Sequence, residues 1–144
     1  MQNETKIKIA LVDDDALFLK MLEIEFVNQG EFEVERFATG EECIRHLSPD
    51  SQLVVLDYNL DGINKNAMNG IATLDEIKSI HPLIHVIMLS AQDQIEVAID
   101  CMHHKALDYV VKSETAFLHI HKIITNALTY KKIENRLNWY MDRM

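Results

Sequence analysis

The feature that most constrains the fold of this chain is a regular alternation between short apolar runs and longer amphipathic stretches. The runs are rich in Val and Ile, as buried strands are, and the stretches between them show helical spacing of their apolar residues. This alternation is typical of βαβ units, in which helices cover a parallel sheet. The sequence predicts strands at residues 7–12, 33–37, 53–56, 86–90 and 109–111.

Five helices are predicted between and after these strands, at residues 16–29, 40–47, 70–79, 94–103 and from about 116 onwards. In the first helix, Leu17, Met21, Leu22, Ile24 and Val27 recur at helical spacing, and Gly30 follows as a stop signal. Three strands are almost continuously apolar, as central parallel strands are, whereas residues 33–37 alternate and so suit an edge strand.

The length of 144 residues suits one domain, and no linker or repeat divides the chain. No apolar stretch approaches the ~20 residues that cross a bilayer, and the N-terminus lacks the pattern of a secretory signal. We therefore expect a cytoplasmic protein with two buried, unbridged cysteines, Cys43 and Cys101. The formal charge of −9 argues against direct binding of nucleic acid by this chain.

Polar side chains follow four of the five predicted strands: Asp13-Asp14-Asp15, Asp57, Ser90 and Lys112. In open parallel sheets, ligands bind beyond the carboxyl ends of the strands, so these side chains are expected to meet there. Each residue alone has an ordinary explanation as a turn, a cap or a solvated lysine. Their joint placement favours a functional site. Carboxylates gathered in one crevice repel each other, and Mg²⁺, which prefers hard oxygen ligands, would offset that repulsion.

Asp15 is expected to play a different part from its two neighbours. It stands directly before the first predicted helix, where its side chain would cap the free amide groups of the first turn. That assignment leaves Asp13 and Asp14 for the metal.

Five segments resemble, in order and position, the receiver domain of two-component response regulators: IKIALVDDD, VVLDYNLDG, MNGIATLDEIK, VIMLSAQ and ALDYVVK. The resemblance extends to about Tyr130. It implies a flavodoxin-like doubly wound fold, with a five-stranded parallel sheet in the order 2-1-3-4-5, five helices and, here, an extended C-terminal helix. It also implies a phosphorylation switch rather than an enzyme acting on an external substrate.

The resemblance further implies that Asp57 accepts a phosphoryl group from a histidine kinase or a histidine phosphotransfer protein. Asp13 and Asp14 would hold Mg²⁺ together with Asp57 and the backbone carbonyl of Asn59. The phosphorylated chain would then return to its starting state by autodephosphorylation.

Other residues take their implied roles from the same resemblance. Ser90 and Lys112 would each receive an oxygen of the phosphoryl group. Tyr109 would be the switch aromatic, moving as Ser90 is drawn inward and reshaping the face formed by helix 4, strand 5 and helix 5. Asn59 and Gln92 would flank the path of the attacking water and tune the lifetime of the phosphate.

The sequence departs from the family pattern at two places near this site. Asp57 and Gly70 are thirteen residues apart, so residues 61–69 form a longer loop than usual. We expect a tolerated surface insertion there, with a role in specificity as the alternative. Ser113 stands where the family commonly has a proline that follows a cis bond. A cis bond before Ser would cost ~2.5–4 kcal/mol, so a trans bond is expected.

The C-terminal segment continues past the expected end of the receiver domain, so we divide the chain into a domain at 1–130 and an extension at 131–144. Tyr130, Ile133, Leu137, Tyr140 and Met144 follow the 3, 4, 3, 4 spacing of a coiled-coil seam. The extension is either a linker or dimer seam, or a helix that packs on its own domain. A homodimer through the helix 4, strand 5, helix 5 face is the other expectation.

Two other functions remain open on the sequence alone. A Mg²⁺-dependent aspartyl phosphohydrolase would also use Asp57, but such enzymes place a second Asp two residues later, where this chain has Asn59. A receiver that docks partners without being phosphorylated is suggested only by Ser113. The paired histidines His103-His104 and His119-x-His121 lack the spacing that places two imidazoles on one helical face, so we expect surface histidines rather than a zinc site.

Overall fold

The structure is a computed structural model that describes residues 6–62, 64–91 and 93–143. Strands and helices alternate along the whole chain. The strands are β1 (Ile7–Val12), β2 (Phe32–Phe37), β3 (Leu53–Asp57), β4 (His85–Ser90) and β5 (Asp108–Val111). The helices are α1 (Ala16–Asn28), α2 (Gly40–His46), α3 (Gly70–Ile80), α4 (Ile95–His103) and α5 (Ala116–Asp142). Each predicted boundary lies within one residue of the observed one.

The strands form one parallel sheet in the order β2-β1-β3-β4-β5, which confirms the predicted fold class. The strand with the alternating pattern, β2, lies at one edge, as predicted. Strand order reverses between β1 and β3, so the carboxyl ends of these two neighbours flank the crevice where ligands bind in such sheets. None of the helices within the described ranges has the length and hydropathy of a membrane-spanning segment.

Helices cover both faces of the sheet and create two separate apolar cores. On one face α1 and α5 pack over the strands, and on the other face lie α2, α3 and α4. The central strands contribute alternate residues to the two faces, which explains why they are apolar at nearly every position. Cys43 and Cys101 are buried free thiols on the second face, as predicted, and burial raises their pKa values to about 12 and about 11.

The apolar pattern of α1 led to an incomplete prediction of its buried face. Of the five residues that recur at helical spacing, only Leu22 is buried, and it packs with Leu19 and Phe26. Leu17 is 82% exposed, and Met21 and Ile24 are about half exposed on a second stripe. Helix α1 therefore carries two apolar stripes, one in the core and one in solvent.

Helix α5 continues without interruption through the predicted end of the receiver domain. It has 27 residues, and every residue from 129 to 143 is exposed. Tyr130, Ile133, Leu137 and Tyr140 are each between 54% and 73% exposed, so the extension does not pack on its own domain. Met144, the last position of the proposed seam, lies outside the described residues.

Candidate phosphoacceptor and metal site

Three carboxylates meet at the carboxyl ends of β1 and β3. Val12 pairs with Leu56 across these neighbouring strands, so the next residues, Asp13 and Asp57, leave the sheet side by side. One oxygen each of Asp13, Asp14 and Asp57 lies within 4.8 Å of the other two. Asp13 and Asp57 are buried, and Asp14 is partly exposed. The sheet therefore brings together the three acidic residues that the sequence analysis predicted to meet at this edge.

Local hydrogen bonds hold these side chains in place. Asp13 Oδ1 accepts a hydrogen bond from the backbone N–H of Asp15 at 2.9 Å, and Asp57 Oδ1 accepts one from the N–H of Asn59 at 3.2 Å. Asp15 itself caps α1, because its Oδ1 accepts from the N–H groups of Leu17 and Phe18. The prediction that Asp15 caps the first helix is confirmed.

Lys112 brings a positive charge into the acidic cluster from the end of β5. Its Nζ lies 2.8 Å from Asp13 Oδ2 and 3.3 Å from Asp57 Oδ2. The backbone N–H of Lys112 donates to the carbonyl of Ser90 on β4 at 2.8 Å, which fixes the start of the side chain. The ammonium group therefore bridges two of the three carboxylates.

The bond between Lys112 and Ser113 is trans, as expected, since the described part of the chain has no cis peptide. Ser113 Oγ accepts a hydrogen bond from the backbone N–H of Thr115 at 3.3 Å and so helps to start α5. The serine at this position does not prevent Lys112 from reaching the carboxylates.

The pKa values of the site reflect its burial and crowding. Burial, and then the negative charge of Asp13, raise the pKa of Asp57 to about 7, although Lys112 opposes the rise. Burial lowers the pKa of Lys112, but the contacts with Asp13 and Asp57 outweigh this effect and raise it above its usual value. The lysine therefore remains charged, while burial and the neighbouring Asp13 raise the pKa of Asp57 towards neutral pH.

Gly70 at the start of α3 allows this helix to approach the end of β3 closely. A Cβ atom at Gly70 would lie 2.6 Å from Tyr58 Cα and 2.7 Å from the Tyr58 carbonyl oxygen, closer than van der Waals contact allows. The N–H of Gly70 donates to that same carbonyl at 3.1 Å. The glycine at the end of the long loop thus anchors α3 beside the residue that follows Asp57.

The longer loop begins directly beside the acidic cluster. The position that a Cβ of Gly62 would occupy lies 3.4 Å from Asp14 Oδ2 and 3.6 Å from the carbonyl oxygen of Asn59. These two oxygens are therefore neighbours at the mouth of the site. Residues 64–66 are exposed, as expected for an insertion, and Met68 N–H donates to Glu41 Oε1 of α2 at 3.1 Å.

The remaining residues chosen from the sequence lie on the next strands of the sheet. Ser90 is fully buried at the end of β4, one residue after Leu89, which pairs with Asp57. Tyr109 lies on β5 and packs partly buried against the core under α4. Gln92 falls outside the described residues, so its placement beside Asp57 stays a prediction.

The donor set of this cluster fits a hard divalent cation. Three carboxylates face one ammonium group, which leaves a surplus of negative charge when all are ionised. Mg²⁺ takes oxygen ligands and retains several waters, so a few carboxylates at a partly open site suit it. Within the described ranges this is the only group of three or more His, Cys, Asp or Glu residues spaced to share an ion.

One residue of the site was missed by the sequence analysis. The ring of Phe18, in the first turn of α1, has its centroid 4.9 Å from Lys112 Nζ. Nothing in the sequence marks Phe18, because an aromatic residue in an apolar helix is ordinarily a core residue. The contact depends on how α1 and β5 are brought together by the sheet.

Comparisons with known proteins agree with this geometry. The family model for the response regulator receiver domain matches residues 9–125. The chemotaxis protein CheY of Bacillus subtilis is 36% identical over 106 residues, which cover 71% of this chain and 82% of CheY. The receiver domain of DrrB from Thermotoga maritima, in a form described as BeF3 activated, has a TM-score of 0.70 at 27% identity, over 84% of this chain and 99% of that one.

A longer relative is also similar. The transcriptional regulatory protein ZraR of Escherichia coli is 30% identical over 127 residues, which cover 81% of this chain and 28% of ZraR. The chain thus spans little more than a quarter of the length of that relative. The match of the family model and the coverage of CheY show that the chain belongs to the response regulator receiver domain family of two-component signalling systems.

Proposed function

We propose that this chain is a phosphorylation switch in which Asp57 takes a phosphoryl group with the help of Mg²⁺. The observation that carries the proposal is the bridging position of Lys112 Nζ, 2.8 Å from Asp13 and 3.3 Å from Asp57, within a cluster of three carboxylates. An ammonium group and further carboxylates that could hold a cation, all close to one buried carboxylate, suit phosphoryl transfer, since this reaction depends on positioning and charge neutralisation.

In the proposed reaction, a carboxylate oxygen of Asp57 attacks the phosphorus atom, and the bond between phosphorus and the donor breaks. The product is an acyl phosphate on Asp57. Lys112 would neutralise one oxygen of the transferred group, and the Ser90 hydroxyl would donate to another. Asp13, Asp14, Asp57 and the Asn59 carbonyl would hold Mg²⁺, which supplies further neutralisation of the phosphoryl oxygens.

The same side chains support a role in the switch. A phosphoryl group adds about −1.5 to −2 charge units, which would draw Ser90 towards Asp57 and leave space for Tyr109. Tyr109 is only partly buried against α4, so such a movement would alter the face formed by α4, β5 and α5. Asn59, whose N–H already contacts Asp57, and Gln92 would limit the access of water and so set the lifetime of the phosphate.

The proposed donor is a phosphohistidine on a histidine kinase or a histidine phosphotransfer protein. Support comes from the exposed apolar stripe of α1, formed by Leu17, Met21 and Ile24. The stripe begins close to the acidic cluster, because the N–H of Leu17 donates to Asp15, whose N–H donates to Asp13. Exposed aliphatic side chains beside a reactive group suit a partner that must dock transiently. Receiver domains act as signalling switches, and this stripe gives the switch a surface for its donor.

The direct test uses acetyl phosphate, a small donor that requires no partner. Incubation of the chain with acetyl phosphate and Mg²⁺ is expected to add one phosphoryl group, measured by intact mass. Chelation of Mg²⁺ with EDTA should remove the labelling, because the uncompensated carboxylates would then repel the donor. Absence of labelling in the presence of Mg²⁺ would contradict the proposal. Turnover of a generic aryl phosphate ester would instead favour a phosphohydrolase.

We also propose that residues 131–144 form a dimer seam beyond the receiver domain of residues 1–130. The exposed stripe Tyr130, Ile133, Leu137 and Tyr140 has the spacing by which two identical helices pack side by side, so its proposed partner is a second copy of the chain. A dimer through the α4, β5 and α5 face is the alternative.

Leu137→Glu tests the seam, with Asn135→Glu as a control that adds the same charge to the same exposed helix outside the stripe. The wild type and the control are expected to dimerise in the presence of beryllofluoride, and Leu137→Glu should weaken the dimer about tenfold or more. Sedimentation equilibrium gives the measurement. A wild type that is monomeric with and without beryllofluoride would contradict the seam, and a dimer that survives Leu137→Glu would place the contact on the other face.

Two expectations from the sequence stay predictions: a cytoplasmic location and the absence of direct nucleic-acid binding. ZraR is named a transcriptional regulatory protein, and this chain spans only 28% of its length. The charge of −9 nevertheless supports a partner other than nucleic acid for these residues.

A further inference from the structure

The ammonium group of Lys112 has an aromatic neighbour in addition to the two carboxylates. Its Nζ lies 4.9 Å from the centroid of the Phe18 ring, within the range of a cation–π interaction. The face of an aromatic ring carries partial negative charge, so it attracts the ammonium without competing for its protons as a carboxylate would. Phe18 thus contacts the basic side chain that, among the described residues, reaches the acidic cluster.

A further neighbour can add to the ion pairs that hold Lys112 in the site, because a lysine side chain is long and flexible. Its backbone is fixed by the hydrogen bond to the Ser90 carbonyl, but four methylene groups separate this anchor from Nζ. The side chain is 16% exposed, so solvent is open to it as an alternative to the site. The peptide that follows is an ordinary trans bond to Ser113 and places no special constraint on the lysine.

Phe18 is itself held firmly in position. Its backbone N–H donates to the Asp15 side chain at 3.2 Å, and its ring packs partly buried against the core beneath α1 and α5. Asp15 in turn donates its N–H to Asp13, one of the two carboxylates that Lys112 contacts. Two successive hydrogen bonds therefore connect Phe18 to the acidic loop.

We propose that Phe18 is a positioning residue for Lys112, holding its ammonium group between Asp13 and Asp57 for the phosphoryl transfer. This inference rests on the proposed function. It assigns to α1 a role in the chemistry in addition to its role in the core. The attraction of the ring face for Nζ would favour the position of the ammonium group in the site over its exit to solvent.

The test compares Phe18→Leu, which keeps an apolar side chain but removes the ring, with Phe18→Tyr, which restores the ring. Phe117→Leu is the matched control, because Phe117 packs on the same core and contacts the Phe26 ring at 5.0 Å rather than Lys112. Phe18→Met is a second ring-free variant in case Phe18→Leu does not fold.

The first measurement is the NMR chemical shift of the Lys112 ε-methylene protons in the metal-free protein. A ring face at this distance is expected to shift them upfield in the wild type, in Phe18→Tyr and in Phe117→Leu, and the shift should vanish in Phe18→Leu and Phe18→Met. Core packing alone would not produce this pattern. Ordinary lysine shifts in the wild type would overturn the inference.

The second measurement is the rate of phosphorylation by acetyl phosphate with Mg²⁺. Loss of a cation–π contact should slow the ring-free variants by about three- to tenfold, and Phe18→Tyr should recover most of the rate. Equal rates in wild type and Phe18→Leu would overturn the inference while leaving the proposed function intact. Failure of the wild type to be phosphorylated would instead overturn the proposed function, and the NMR result would still show whether the ring orients the lysine.

Discussion

The Asp57→Asn variant is expected to take no phosphoryl group from acetyl phosphate and Mg²⁺ under conditions in which the wild type takes one. An amide is a far weaker nucleophile than a carboxylate and carries no charge to attract a cation. Asp57 is also the only carboxylate of the cluster that lies at the end of β3, next to both Lys112 and the Asn59 N–H. The loss should therefore be complete, as measured by intact mass.

Asp93→Asn is the control for this variant, because Asp93 is exposed in the loop between β4 and α4. This loop lies at the carboxyl-end edge of the sheet, as Asp57 does. It should be labelled as fully as the wild type. Labelling of Asp57→Asn to the wild-type extent would place the acceptor on another residue, and partial labelling would show that a neighbouring carboxylate can substitute for it.

The second large effect is expected in the stability of the metal-free protein as pH rises. Burial and the charge of Asp13 raise the pKa of Asp57 to about 7, from an ordinary value of 3.8. Between these two pH values the folded state keeps a proton that the unfolded state has released, so the free energy of unfolding falls as pH rises. The free energy of unfolding should fall by about 2–4 kcal/mol between pH 4 and pH 7, and by little more at higher pH.

Chemical denaturation at a series of pH values in EDTA measures how the free energy of unfolding depends on pH. Asp57→Asn should lose most of this pH dependence and should be more stable than the wild type at pH 7.5. Asp93→Asn should keep the pH dependence of the wild type. Added Mg²⁺ should stabilise the wild type at neutral pH, because it binds the folded state. A wild-type profile that rises with pH across this range would contradict the raised pKa.

The strands and the acidic site were predictable because each depends on signals that are local in the sequence. Apolar runs such as residues 53–56 indicate strands covered on both faces, and polar residues directly after a strand lie at the same edge of a parallel sheet. Asp13, Asp57 and Lys112 meet for this reason. The cap formed by Asp15 was predictable on the same grounds, from its place before an apolar helix.

Other features depend on contacts that local patterns do not reveal. In α1, the stripe of Leu17, Met21 and Ile24 and the stripe of Leu19, Leu22 and Phe26 both have helical spacing, and only the position of the sheet decides which one is buried. The contact between Phe18 and Lys112 joins residues far apart in sequence. It follows from the strand order, which places α1 and α5 on the same face.

The uninterrupted course of α5 has a mechanical consequence. Its first turns pack beside β5 in the core, while the part beyond residue 128 is exposed and extends for about 20 Å. A tilt of about 10° at the root of a rigid rod of this length displaces its tip by about 3–4 Å. A small rotation of α5 near β5 would thus produce a larger displacement at the C-terminal end of the helix. The rigidity of the helix is sufficient for this effect, and no chain of intermediate contacts is needed.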